Sequence, residues 1–355
     1  MQMLVVPLFS GSCANYPEYM SQVLTNTSAG LSHAWHPVLP VSELGDSPVR
    51  VELLGEPWVI TRLNGEITAF LDKCPHRNAR LSDGKVVNNS LQCPYHGWEF
   101  EGTGRCGFIP ALGHGATVPP TAHLQARRVQ VKYDHIWIAV DEPACDILHV
   151  DEWDDSSLAH VWMPTVDLKA SAGQFMDNFL DFGHFPFVHA GTFGSGEDEH
   201  ITDYEVQRSE NGYGFRVDYP HTIENNEDPL VKTGEHPLVQ PRNMTYVYGA
   251  PFTTILRLEL PLTGVVNAIL TFVQPINDNH SRLYTVMLRN DCPTPQLAQE
   301  AIDYEFAVLQ EDLKVIDYLY DHKIPLDAGQ AHTRADKNTI EFRRIMTKLL
   351  LTAKE

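Results

Sequence analysis

Positive charge is scarce in this 355-residue chain: 26 lysines and arginines face 46 aspartates and glutamates, a formal net charge of -20. A surface of that sign repels phosphate backbones and anionic headgroups, so nucleic acid and membrane surfaces are excluded as partners, leaving small molecules and proteins. Long apolar runs are missing as well. No stretch approaches the ~18 to 20 residues needed to cross a bilayer. Met1 to Phe9 has no basic residue ahead of it and is too short for a secretory core, which points to a cytoplasmic protein. Six cysteines (Cys13, Cys74, Cys93, Cys106, Cys145, Cys292) are too few for a disulfide framework. Internal repeats and low-complexity segments are absent. What is there, 43% hydrophobic and 20% charged residues, is the composition of a folded chain with room for two domains.

Residues 1–32 mix Ser, Asn, Thr and Gly without sustained periodicity and read as a loose N-terminal extension. From His33 short alternating strands take over: Val49 to Leu54, Trp58 to Leu63 and Ile67 to Asp72, the last two joined by Asn64-Gly65, a pair suited to a two-residue hairpin turn. Two further strand-like runs flank Asp134-His135 within Arg128 to Val140. The acidic, turn-prone stretch Asp141 to Asp155 then marks a boundary, giving an all-β domain over 33–150 and a second domain over 151–355. In the second, Gln174 to Gly183 has helical spacing. Strands are expected at Tyr204 to Arg208, Tyr213 to Tyr219, Phe252 to Leu260, Val265 to Pro275 and Leu283 to Leu288. Amphipathic helices are expected at Gln296 to Tyr320, with Ile302, Phe306, Leu309, Leu313, Ile316 and Tyr320 on one stripe, and at Asp336 to Thr352. The fold class is α+β, with an antiparallel sheet in the second domain.

Cys74-Pro75-His76 and Cys93-Pro94-Tyr95-His96 are two short loops, each offering one thiolate and one imidazole. One iron of a two-iron two-sulfur cluster takes both thiolates and the other both imidazoles in a Rieske centre, and this pairing suits that split. A zinc site fits less well, because zinc fingers pair Cys with Cys and His with His. Between Lys73 and Lys132 the charge reverses, with Lys73, Arg77, Arg80, Lys85, Arg105, Arg127, Arg128 and Lys132 against Asp83, Glu99 and Glu101. Such a patch would steer an acidic electron donor towards the cluster.

The second constellation is Asp181-Phe-Gly-His184-Phe-Pro-Phe-Val-His189. On a regular helix, residues five apart point about 140° away from each other and cannot chelate one ion. Pro186 removes a helical hydrogen bond, so the helix is expected to end or distort between the histidines, while Asp181 and His184 share a face before the break. Two imidazoles and one carboxylate on one side of Fe(II) leave positions open for oxygen and substrate. On the helix Gln296 to Tyr320, Asp312 lies on the inward flank of the apolar stripe and Glu311 about 180° from its centre. Periodicity leaves Glu305 and Asp317 open as well. Phe175, Phe179, Phe182, Phe185 and Phe187 surround this box; most of such a stripe packs core, with one or two lining a pocket. Leu256, Phe272, Gln274 and Met287 are further candidates for a pocket wall.

Cys-Pro-His-Arg at 74–77, Cys-Pro-Tyr-His-Gly-Trp at 93–98 and Asp-x2-His-x4-His at 181–189, in this order, resemble the oxygenase (alpha) component of the Rieske non-haem iron oxygenases. The resemblance runs from about His33 to the C-terminus. It implies an N-terminal Rieske domain, a C-terminal helix-grip catalytic domain, a [2Fe-2S] cluster on Cys74, His76, Cys93 and His96, and a mononuclear Fe(II). It selects Asp312 as the carboxylate ligand beside His184 and His189, since Glu311-Asp312 matches the family's distal motif. It gives Asp181 the bridging role between His184 and His96 of a neighbouring copy in a head-to-tail homotrimer. No dinucleotide motif and no plant-type cysteine run is present, so a separate NAD(P)H-dependent reductase, with or without a ferredoxin, must supply electrons. Asp177-Asn178 to Asp181 is most similar to the smaller members, the vanillate O-demethylases and caffeine-type N-demethylases. These are monooxygenases that hydroxylate or demethylate small aromatic or heteroaromatic substrates with O2; ring cis-dihydroxylation is the alternative, and a pure electron-transfer protein would lack the second iron motif.

Overall fold

The computed structural model describes residues 22–194, 199–225, 228–319, 323–327 and 329–352. In its N-terminal half, Val49–Leu53, Glu56–Leu63 and Glu66–Leu71 form an antiparallel sheet. Asn64 and Gly65 both have positive φ, 53° and 83°, as a two-residue hairpin with the right-handed twist of its strands requires. A second sheet joins His36–Pro40 to the hairpin Arg128–Lys132 and His135–Ala139. A third, of short strands Lys85–Val87, Ser90–Gln92, Glu99–Phe100 and Cys106–Phe108, carries the two Cys/His loops at one end.

The chain crosses to its C-terminal half between Ala139 and Ala159. There an eight-stranded antiparallel sheet runs in the order Ala159–Trp162, His280–Arg289, Val265–Asn277, Thr253–Leu260, Val239–Gly249, Gly214–Glu224, Gln207–Arg208, with Val166–Leu168 also on His280–Arg289. The strand Val239–Gly249 had no clear periodic signal, because Pro241 and Asn243 interrupt it. It nevertheless pairs with all eleven residues of Gly214–Glu224. Among the described residues five α-helices complete this half: α1 (Ala172–Phe179), α2 (Phe185–Val188), α3 (Pro229–Thr233), α4 (Pro295–Tyr318) and α5 (Lys337–Thr352). Ser171 Oγ caps α1 and Thr294 Oγ1 caps α4, each accepting from a first-turn N–H that has no helical partner. No described helix is long and apolar enough to cross a membrane.

Strand alternation explains how both faces of this sheet are used. Leu256, Ile269, Leu283 and Met287 turn towards α1, α4 and α5. Their neighbours Leu270, Phe272, Tyr284, Val286 and Leu288 turn the other way and bury against Trp35, Tyr133 and Trp137 of the N-terminal half. Side chains of adjacent strand residues leave opposite faces, so one continuous apolar strand can fill two cores.

Residues 22–32 are not loose. Val23–Leu24 pairs with Ile324–Pro325, and Leu24 and Leu31 are fully buried. Asn26, also fully buried, donates through Nδ2 to Asn277 O (2.7 Å), His280 O (3.0 Å) and Ser281 Oγ (2.8 Å) and accepts from Ala172 N (2.9 Å). A polar segment without periodicity is anchored here by one buried amide, a device that pattern reading does not detect. The earlier part of the expected extension, and Cys13, lie outside the described residues.

Candidate metal centres

The two Cys/His loops are built alike. Cys74 N–H donates to Ala79 O (2.9 Å) and Asn78 N–H to Cys74 O (2.8 Å); Cys93 N–H donates to Trp98 O (2.8 Å) and Gly97 N–H to Cys93 O (3.1 Å). Gly97 has φ +70°, and a Cβ there would sit 3.1 Å from Pro110 Cγ, so the close approach of the loop beginning at Pro110 uses its missing side chain. The loops bury Cys74 and Cys93 and leave both histidines at the surface. His76 Nδ1 and His96 Nδ1 face each other at 3.1 Å, and His76 stacks on Trp98 at 4.7 Å. Burial, with Cys93 adding to it, pushes the Cys74 thiol up to about 12. Two buried sulfurs and two imidazole nitrogens that face each other form a donor set suited to cations held between its members. The pairing, thiol with thiol and imidazole with imidazole, fits a two-iron cluster.

The basic patch is smaller than its sequence suggested. Lys73 pairs with Glu56, Arg105 with Glu101, Arg127 with Asp141 and Arg128 with Glu142, while Lys132 donates to Ile147 O and Leu148 O. Arg77, Arg80 and Lys85 make no ion pair among the described residues and are exposed, Arg77 directly beside His76. Three of these four counter-charges, Glu56, Asp141 and Glu142, lie outside the 73–132 window.

The second centre departs from the expected helix break. α1 ends at Phe179, before Asp181, and residues 180–184 are a turn in which Asp181 Oδ1 accepts from Gly183 N (2.8 Å). Pro186 lies in the first turn of the single-turn α2, where its missing N–H costs nothing, so it starts a helix between the histidines rather than ending one. His184 and His189 are the two ends of that turn. Their Nε2 atoms come within 3.1 Å, and Asp312 Oδ1 lies 3.3 Å from each. Donor atoms ~2.1 Å from one ion and at right angles are about 3.0 Å apart, and in a tetrahedral arrangement about 3.4 Å. The observed triangle falls between, and Asp312 Oδ1 is buried with no hydrogen-bond partner. The donors therefore fit an ion held from one side. Among the described residues this is the one group of three or more ligating side chains gathered so closely. Glu305 lines the adjacent cavity and Asp317 is exposed, so neither reaches the triangle.

Glu311 was placed outward by the helical wheel, and the structure shows otherwise. Its Oε2 accepts from His189 Nδ1 (3.0 Å) and from Thr192 Oγ1 (2.8 Å). The segment after His189 wraps over that flank of α4, and Gly191 permits it, since a Cβ there would lie 2.6 Å from Glu311 Oε1. The proton on Nδ1 fixes the tautomer that leaves Nε2 free for a metal. Burial lowers the His189 pKa, and the neighbouring Asp312 carboxylate with the Glu311 hydrogen bond and charge outweigh it to give a net rise. Burial acts against ionised Asp312, and His184 and His189 still hold it below the usual carboxylate range. Asp181 Oδ2 stands 3.9 Å from His184 Nδ1, too far for a hydrogen bond, and burial raises its pKa. That carboxyl reaches a surface depression shared with Asp177, His332, Asp336 and Arg343.

A Rieske [2Fe-2S] domain profile matches residues 34–124, and the vanillate O-demethylase oxygenase C-terminal domain profile matches residues 168–352, just over half of the chain. The chain belongs to the Rieske non-haem iron oxygenases. Methylxanthine N3-demethylase NdmB of Pseudomonas putida is 29% identical over 342 residues, covering 92% of this chain and 91% of that protein. The solved structure of NdmB superposes with a TM-score of 0.80 at 28% identity, covering 94% of this chain and 95% of that one. NdmA of the same organism with caffeine gives 0.78 at 28% identity, covering 90% and 91%. Dicamba monooxygenase bound to dicamba shares the fold, with a TM-score of 0.72 at 22% identity over 94% of this chain and 100% of that one. This Rieske oxygenase is thus an oxidoreductase of the monooxygenase type, an oxygenase component carrying a Rieske cluster domain and a mononuclear-iron domain.

Beside the His184, His189 and Asp312 triangle lies a cavity of about 260 Å³. Phe175, Phe179 and Phe185 line it, joined by Phe193, a residue the sequence reading passed over. Phe182 instead packs among Tyr204, Tyr219 and Tyr246, and Phe187 is 66% exposed. Of the proposed wall residues only Leu256 lines the cavity. Phe272 and Gln274 face the domain junction, where Gln274 bonds Glu52 O and Tyr284 OH, and Met287 is buried in the core. Polar groups on the wall include Tyr246, Thr271, Thr285 and Asn267, whose Oδ1 has no partner.

Proposed function

We propose that this protein is the terminal oxygenase of a system that oxidatively demethylates, or hydroxylates, a small uncharged aromatic or heteroaromatic compound. The observation that carries the reading is a mostly apolar cavity of about 260 Å³ opening on the His184, His189 and Asp312 triangle. The similarity to the methylxanthine N-demethylases NdmA and NdmB supports an N-methyl heteroaromatic substrate.

Cys74 and Cys93 hold one iron of the cluster and His76 and His96 the other; His184, His189 and Asp312 hold the mononuclear iron. When bound, the cluster would supply single electrons and the mononuclear iron would supply the activation of O2. Glu311 keeps His189 in the ligating tautomer. Phe175, Phe179, Phe185 and Phe193 hold a planar ring beside the triangle and exclude water. Asp181 links His184 to His96 of the partner subunit in a head-to-tail homotrimer, a reading supported by the surface position of Asp181 and the exposure of both cluster histidines. A separate NAD(P)H-dependent reductase, with or without a ferredoxin, docks on the Arg77, Arg80 and Lys85 side, and the protein works in the cytoplasm in the catabolism of aromatic compounds.

Turnover under 18O2 with a surrogate reductase, on a panel of N-methylated, methoxylated and plain aromatic compounds, tests the reading. Formaldehyde release, or one labelled oxygen in the product, is expected. Two labelled oxygens in a dihydrodiol would replace it with ring dihydroxylation.

A further inference from the structure

Among the described residues, six tyrosines are buried: Tyr133, Tyr204, Tyr219, Tyr246, Tyr248 and Tyr284. Five of them use their hydroxyls on protein partners. Tyr133 donates to Leu148 O, Tyr204 to Ala335 O, Tyr248 to Pro251 O and Tyr284 to Gln274 Oε1, and Tyr219 accepts from Thr202 N. Tyr246, 1% accessible, makes no hydrogen bond to any described residue, and it is the one of the six on the wall of the catalytic cavity.

Its ring is fixed. It stands opposite Leu256 on the neighbouring strand and packs edge-on to Phe179 at 5.8 Å and against Phe182 at 5.2 Å. Phenylalanine would make the same ring contacts; the hydroxyl adds nothing to them, has no partner among the described residues and faces the cavity. Packing therefore accounts for the ring and leaves the hydroxyl to something that enters the cavity.

We propose that Tyr246 is a specificity-determining donor: its hydroxyl donates a hydrogen bond to the carbonyl oxygen of a planar, uncharged N-methyl heteroaromatic ring held beside His184, His189 and Asp312. The proposal rests on the reading of this cavity as the substrate site. Burial and the nearby Asp312 charge keep the phenol protonated, and hence a donor. Arg242 and Arg289 line the same cavity with Glu224, Glu305 and Asp312, so its wall carries both signs and singles out neither an anionic nor a cationic ring.

Binding, without reductase and so without turnover, tests the assignment. Wild type and Tyr246→Phe, both carrying their metals, are titrated by calorimetry with caffeine and 1-methyl-2-quinolone, and with the carbonyl-free 1-methylindole and 1-methylnaphthalene. Wild type is expected to prefer the carbonyl compounds by about tenfold, the variant to lose that preference while binding 1-methylindole within about twofold of wild type. The ligand-free variant should melt at the same or a higher temperature, because an unpaired hydroxyl has been removed. Three results overturn the proposal: no preference or no binding in wild type, a preference that survives in the variant, or equal weakening towards both compound types. Formaldehyde release is a separate readout, so a protein that demethylates yet keeps its preference in the variant sinks the donor and leaves the function standing.

Discussion

Replacing Glu311 tests whether the mononuclear centre depends on a residue that touches no metal. Glu311 Oε2 is 3.0 Å from His189 Nδ1 and 2.8 Å from Thr192 Oγ1, and His189 is 2% exposed, so water has little access to replace the lost acceptor. In Glu311→Ala the Nδ1 proton loses its partner, and the imidazole can turn or carry its proton on Nε2 instead. A charge-assisted bond of this kind contributes ~1.5 to 3 kcal/mol, and removal of such orienting partners weakens metal sites ~10- to 100-fold. Glu311→Gln keeps an acceptor but not the charge, and about tenfold of that loss is expected. The assay is Fe(II) binding against a competing chelator, with the visible spectrum of the Rieske cluster as an internal control that should not change. Iron affinity within about twofold of wild type in both variants would refute the reasoning, because the hydrogen bond would then not be orienting His189.

Asn26→Ala removes three buried donor contacts and one acceptor contact that hold residues 22–32 to the catalytic sheet, and should destabilise the fold by about 3 kcal/mol, read as a lower melting temperature. His36 and His135 lie at the domain junction, their pKa values lowered by burial to about 4 each. The unfolded chain binds more protons between that value and 6.5, so stability should fall as pH drops from 7 to 5, by about 2 kcal/mol from each histidine. His135→Gln should flatten the pH dependence of melting, and an unchanged slope would contradict this account. Charge reversal at Arg77, Arg80 and Lys85 together should slow cluster reduction by an acidic donor and reduce its salt dependence, measured by stopped-flow absorbance. A rate that ignores both the variant and the salt would remove these residues from the docking surface.

Where a signal was local, the sequence carried it. The hairpin at Asn64-Gly65, the helix over residues 295–318 and the two Cys/His loops each depend on spacing within a few residues, and each appears where spacing places it. The helical wheel ran the inward stripe of α4 through Ile302, Phe306, Leu309, Leu313 and Ile316; Leu309 and Ile316 are buried, but Phe306 is exposed. The true inward face runs through Ala301, Glu305, Val308, Asp312 and Ile316, because the cavity and triangle it faces require carboxylates. Apolar periodicity finds a core; it misplaces a wall that has to be polar.

Pro186 shows the same limit: its position between two histidines pointed to a break, and only the fold decided that the break came earlier and that the proline opened a new turn. The sequence by itself determined which chemistry is possible, because thiolates, imidazoles and a carboxylate at these spacings bind iron in few ways. Tertiary structure alone decided that Glu311 faces His189, that Phe272 belongs to the domain junction, and that Tyr246 keeps an unpaired hydroxyl at the cavity. Each of these depends on a neighbour far away in the chain, and a side chain's role in such a place is set by what packs against it rather than by its own position in a repeat.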